Sequence, residues 1–374
     1  MKSQTFRALA AALLLSTGAV ALSQTVFLPV AEAAGARPAV AKLLNAAIED
    51  AKAGNLGGAN AKLHEAEGVG SLTPGDQASI EQVKNYIAAK SGSGATGAAA
   101  KFANDYNAGH YAAVVGEDAD ALRKAGQFTG QNQLIVAQAY YLMGNYSSAL
   151  RMLSGMGGDQ ALALRMSAAA KSGDSAAEMQ AAEQLIGNGQ TKYWTYELTS
   201  AEAAHGLTDH QNLDILRLRL ATGMMRSAED YQTGAELALE FGDNAGAVNF
   251  TQKGIAAKVL TDARSQRLAG LAQADAAKDA ATLAQQAAAA KTGDALVKLG
   301  EKYTGMGKGP DAVNAIKAGI AKGVTDADDA QIRLGQAYLA AGQKSDAIHA
   351  FNSVKTGNDQ AIAHMWALYA RTSK

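Results

Sequence analysis

Leu334-Gly335-x-x-Tyr338, followed by Gly342 and then Ala347-x-x-x-Phe351, constrains the fold of this chain more than any other stretch. It reads as a helix, a tight turn and a second helix, with small residues where the two helices nearly touch. The same order stands 35 residues earlier as Leu299-Gly300-x-x-Tyr303, Gly307 and Ala312-x-x-x-Ile316. A helical hairpin that recurs at a fixed interval cannot bury its apolar face alone, so each copy must stack on its neighbours.

Further copies lie upstream. Val136-Ala137-x-x-Tyr140, Gly144 and Ala149-x-x-x-Leu153 form one, Ala235-x-x-Ala238, Gly242 and Ala247 another, and Ala47, Gly54, Leu56 and Ala59-x-x-x-Leu63 a third. Weaker copies centre on Gly109-His110-Tyr111, Ser172-Gly173-Asp174, His205-Gly206 and Ala276-Ala277-Lys278. From Gly109 onward the turns fall at 109, 144, 173, 206, 242, 276, 307 and 342, intervals close to 34 residues. The spacing predicts an all-α solenoid of stacked hairpins forming one elongated body. Tyr140, Tyr303, Tyr338 and Phe351 are the large side chains expected to fill the space between helices.

This pattern resembles the tetratricopeptide repeat family, whose first helix carries Leu-Gly-x-x-Tyr and whose second carries Ala-x-x-x-Phe. The resemblance covers most of the chain after about residue 40 and departs at two positions of the best copy. Gln331 stands in place of the first-helix tryptophan and Asp359 in place of the closing proline. It implies a non-catalytic scaffold that holds a segment of a partner protein in a concave groove lined by first helices. Carried onto this chain, the partner-binding groove would include Tyr106, Gln138, Tyr141, Tyr193, Tyr196, Glu236, Glu240, Glu301 and Gln336. That set is aromatic in its N-terminal half and acidic in its C-terminal half. It lacks the lysine, arginine and asparagine with which the family clamps acidic C-terminal peptides, so an apolar or basic segment is the expected ligand.

Composition agrees with thin, closely packed helices: 48% of residues are hydrophobic, 18% charged and 6% aromatic, with only four prolines. The first 33 residues differ from the rest. Lys2 and Arg7 precede the apolar run Ala8 to Leu22, and Ala31-Glu32-Ala33 offers the small residues a signal peptidase reads. A secretory signal over 1–33, cleaved before Ala34, is expected, and with it a bacterial periplasmic or secreted protein with no stable membrane insertion. The apolar run is shorter than the roughly 20 residues that span a bilayer. The absence of cysteine excludes a disulfide framework and a lipid-bearing cysteine. The net charge of −1 and the lack of a basic run leave no electrostatic footprint for nucleic acid.

Ser91-Gly92-Ser93-Gly94-Ala95-Thr96-Gly97 has the composition of a flexible connection. It either separates an N-terminal helical unit over 39–90 from the main array over 98–374 or forms a long loop between repeats. Ile362, Met365, Trp366 and Tyr369 share one helical face and predict a capping helix at the C-terminus.

Motifs for chemistry are sparse. Gly305-Met306-Gly307-Lys308-Gly309-Pro310 has Lys302 and Gly309 where a phosphate-binding loop needs glycine and Ser or Thr, so it reads as a hairpin turn. His205 and His210 lack a third ligand of clear spacing, so no metal site is assigned. No nucleophile elbow and no cofactor motif is present, and the chain is expected not to be an enzyme. An alternative remains in which the tyrosine-rich middle, with Trp194, handles a glycan or cell-wall fragment.

Overall fold

A computed structural model describes residues 36–90 and 97–373, and among the described residues all regular structure is helical, with no strand. The expected leader over 1–33 and all but the last residue of Ser91–Gly97 lie outside them. The chain divides into two compact units, residues 1–181 and 182–374.

The first unit opens with α1 (Pro38–Lys52), α2 (Leu56–Glu67) and α3 (Pro74–Lys90). Val40, Leu44, Ala47, Ile48 and Ala51 recur at helical spacing and meet Ala59, Leu63 and Ala66 of α2 and Ile80, Val83 and Ile87 of α3, so the three helices enclose a core of their own. The stretch after Pro74 thus packs on both members of the first hairpin. Next come α4 (Ala98–Ala108) and α5, which runs from Tyr111 to Lys124 and is kinked at Gly116, whose φ of −105° and ψ of −105° are not helical. Then follow α6 (Gly130–Leu142), α7 (Tyr146–Met152), α8 (Asp159–Ser172) and α9 (Ser175–Gly187), in which the division between the units falls. Side-chain caps fix several starts: Asn145 accepts from the Ser148 amide at 3.2 Å, and Thr129 and Asn132 form a capping box.

The second unit comprises α10 (Trp194–Glu202), α11 (Asp209–Thr222), α12 (Ala228–Phe241), α13 (Asn244–Ala256), α14 (Ala263–Ala289), α15 (Gly293–Gly305), α16 (Gly309–Lys322), α17 (Ala327–Ala340), α18 (Lys344–Asn352) and α19 (Gly357–Thr372). The α17–α18 hairpin shows why the motif needs its small residues. A Cβ on Gly335 would lie 2.3 Å from the Phe351 ring, which is 1% exposed, so the missing side chain lets an aromatic ring seat against the backbone. Burying such a ring contributes roughly 1.5–3 kcal/mol. Gly342 ends α17 at φ 74°, in the left-handed region, and the next amide bonds back to Tyr338 O at 2.8 Å. Gly300 meets Ile316 in the same way, whereas in the α12–α13 copy Gly234 meets Phe250, one residue before the positions the turn spacing marks.

One expectation changes. The turn read at Ala276-Ala277-Lys278 is absent, because α14 continues through it for 27 residues. That alanine-rich segment contains no proline, and its glycine at 270 sits well before the supposed turn, so nothing stops the helix. The C-terminal helix α19 does cover the last hairpin, with Trp366 stacked on Phe351 at 6.0 Å. It also reaches the start of the unit, where Tyr369 meets Trp194 edge-on at 6.4 Å.

Candidate functional site

The inner face is built from residues at fixed distances before each turn glycine. Three residues before Gly109 and Gly144 stand Tyr106 and Tyr141; six before Gly144, Gly242, Gly307 and Gly342 stand Gln138, Glu236, Glu301 and Gln336. In the first unit this spacing brings α4 and α6 together: Tyr106 Oη donates to Gln138 Oε1 at 3.1 Å, which leaves Gln138 buried. Tyr106 is half-buried with Tyr111 against its edge at 5.7 Å, and Tyr141 is half-buried against Tyr146 at 5.4 Å. Burial raises both phenols above their ordinary range. Leu142 and Met143, immediately after Tyr141, are 53% and 47% exposed, so the end of α6 presents an apolar surface beside its aromatic pair.

In the second unit the same repeat position has divergent fates. Glu236 is exposed and pairs with Arg264 at 2.9 Å, Glu240 is exposed, and Tyr196 is half-buried. Tyr193, Glu301 and Gln336 are buried, so with Gln138 they do not line an open groove, contrary to the sequence reading. The cause is α11. It follows a turn at Gly206, where the repeat calls for an outer second helix, yet it lies inside the unit and buries Leu213, Asp214, Ile215, Leu216, Leu218, Arg219 and Leu220 on all its sides. A helix whose apolar residues share no single face belongs in an interior, where its polar side chains must find partners.

The polar groups of α11 reach the first helices that would have framed the groove. Arg333 of α17 holds the Asp214 carboxylate through both Nη atoms, with Nη1 to Oδ1 at 2.6 Å, and Gln336 Nε2 donates to Asp214 Oδ1 at 2.9 Å. Arg217 Nη2 bridges Asp243 Oδ2 and Glu301 Oε1, each at 2.8 Å. His210 stands 3.4 Å from Glu301 and 3.3 Å from Asp329, and stacks on Phe241 with ring centroids 4.4 Å apart. Gln211 Nε2 donates to Asp359 of α19 at 2.9 Å.

Burial alone would push Asp214 and Glu301 up. The guanidinium groups override it, Arg333 most for Asp214 and Arg217 most for Glu301, and hold both below the usual carboxylate range. Asp243 goes the other way, because burial, with Glu301 nearby, outweighs Arg217 and raises it. Beside the cluster a pocket remains, lined by His210, Phe241, Val297, Glu301, Val324 and Asp329.

Trp194 is buried beneath Tyr369 and offers no open stacking face. Gly305–Pro310 forms the α15–α16 turn, with Gly307 at φ 70°. Among the described residues no group of three or more His, Cys, Asp or Glu is placed to hold a metal, and no helix is long and apolar enough to cross a membrane. The interior role of α11 was missed in the sequence reading, although the run Leu213, Ile215, Leu216, Leu218 and Leu220 signals it by sharing no single face.

No protein-family model matches the chain, and no curated protein matches it. Among solved structures it is similar to the one described as "Crystal structure of APC/C hetero-tetramer Cut9-Hcn1", at 10% identity over 94% of this chain and 76% of that chain, with a TM-score of 0.26.

Proposed function

We propose that this protein is a non-catalytic, protein-binding scaffold of the bacterial cell envelope, exported by its N-terminal segment, and that the first-helix face of its first unit holds the partner. The observation that carries the reading is the repeat-spaced pair Tyr106 and Tyr141 beside exposed Leu142 and Met143. Aromatic and apolar anchors of this kind commonly dominate interface energies. The partner segment is apolar or basic and docks on the tyrosines; the exposed Glu236 and Glu240 of the second unit form a separate acidic surface. Partners are other envelope or exported proteins. The glycan-handling alternative is weakened by the burial of Trp194 and Tyr193, two of the rings on which a sugar would stack.

The test is affinity purification from envelope extracts with N-terminal sequencing of the exported form. A stoichiometric protein partner and a chain beginning near Ala34 support the proposal. Retention of Met1 in membranes, or specific binding of cell-wall fragments without protein, contradicts it.

A further inference from the structure

The second unit contains two apolar cores and a polar seam. One core joins Leu213, Leu216 and Leu220 of α11 to Ala235, Ala238 and Phe250 of α12 and α13. The other joins Val297, Ile316, Leu334 and Ala337 of α15, α16 and α17. Between α11 and α15, α17 and α19 runs a series of charged and amide contacts: Asp214 with Arg333 and Gln336, Arg217 with Glu301, His210 with Glu301 and Asp329, Gln211 with Asp359. At the rim the seam is joined by Asn358 Nδ2 on His205 O at 3.2 Å, by His364 on Glu183 at 2.8 Å and by the Trp194–Tyr369 edge contact.

Parting an apolar core exposes hydrocarbon, whereas parting buried ion pairs rehydrates charges whose desolvation had offset most of their attraction. The seam is therefore the weakest line through the unit. We infer that the second unit opens along it: α11 stays packed on α12 while α15, α17 and α19 move away together, uncovering an inner face of Glu301, Asp329, Arg333 and Gln336 that the chain itself keeps closed. This is an autoinhibitory contact, in which α11 occupies the surface that the repeat would otherwise offer to a partner helix. Its use by a partner rests on the scaffold reading; the opening does not, and the experiment below measures the opening alone.

The chain has no cysteine, so one introduced thiol reports access without ambiguity. In the full chain, Gln336→Cys places a thiol in the seam and Ala312→Cys places one in the apolar core, at 0% exposure. Labelling by an aromatic disulfide is followed at rising urea below the unfolding transition. The seam thiol is expected to react at least about tenfold faster than the core thiol and with little urea dependence, whereas the core rate rises steeply, as separates local from global opening. Equal rates with equal urea slopes overturn the inference. Because Gln336→Cys removes a seam hydrogen bond, Ala330→Cys is read in parallel; it belongs to the same apolar core as Ala312 but at the edge that faces His210 and Asp329, and it leaves every seam pair in place. It is expected to show the same shallow urea dependence, and if it follows the core thiol instead, the inference fails.

Discussion

Arg333 and Asp214, 119 residues apart, meet as a two-pronged ion pair in which each side chain is 1% exposed. The pair ties the last complete hairpin to a helix near the start of the second unit and closes the face that a repeat array would leave open. Removing one partner strands a buried charge, so Arg333→Leu is expected to lower stability in urea by about 3–5 kcal/mol. The double variant Asp214→Leu with Arg333→Leu should recover most of that loss. A double variant as unstable as the sum of the singles would show that the two side chains are not energetically coupled, contradicting the buried pair.

Acid should destabilise the second unit. Asp214 and Glu301 have depressed values in the folded state, so each contributes stability above its unfolded value, roughly pH 4, and that contribution is lost as pH falls further. Asp243, raised by burial, acts in the opposite sense and regains stability on protonation, but it is one group against two. Urea midpoints from pH 7 to pH 3 should therefore fall below about pH 4, and less steeply in the double leucine variant. A flat profile contradicts the assignment.

His364 of α19 is raised by its hydrogen bond to Glu183, the larger cause, and by that carboxylate's charge. A raised histidine adds stability that is full below its unfolded value, about 6.5, and fades as pH rises through the folded one. The pair is half exposed, so solvent screening limits the effect to about 1 kcal/mol or less. His364→Ala should flatten the change in unfolding midpoint between pH 6 and pH 8; an unchanged profile shows that another group is responsible.

Two glycines within helices should respond in opposite directions. Gly335→Ala forces a methyl against the Phe351 ring and is expected to cost about 1–3 kcal/mol, with Ala347→Leu, at a fully buried site, similar in direction. Gly270→Ala on α14 meets nothing within 4 Å and should stabilise by roughly 0.5–1 kcal/mol through helix propensity. Thermal melting of the three variants settles the register of the repeat.

The hairpins were legible because their determinants are local: Gly335, Gly342, Ala347 and Phe351 lie within 17 residues and state the contact they make. The closure was not, because Asp214 and Arg333 become partners only through the path of the intervening helices. Gln138, Glu301 and Gln336 look like groove residues for the same reason, as polar side chains on a first helix whose cover comes from elsewhere in the chain. The continuous α14 was obscured by a 34-residue rhythm that the sequence keeps on either side of it. The signal in α11, leucines on every side, was present and points to an interior helix.

The most direct test of the scaffold reading is the affinity of a purified envelope partner for the chain and for two sets of variants. Tyr106→Ala with Tyr141→Ala should weaken binding by about 2 kcal/mol or more, near a thirtyfold rise in Kd, and Leu142→Ser with Met143→Ser should act in the same direction. Lys317→Ala and Lys344→Ala, on second helices, should leave Kd unchanged. Equal losses from both sets, or none from the tyrosines, would contradict the assignment of the partner surface to the first-helix face.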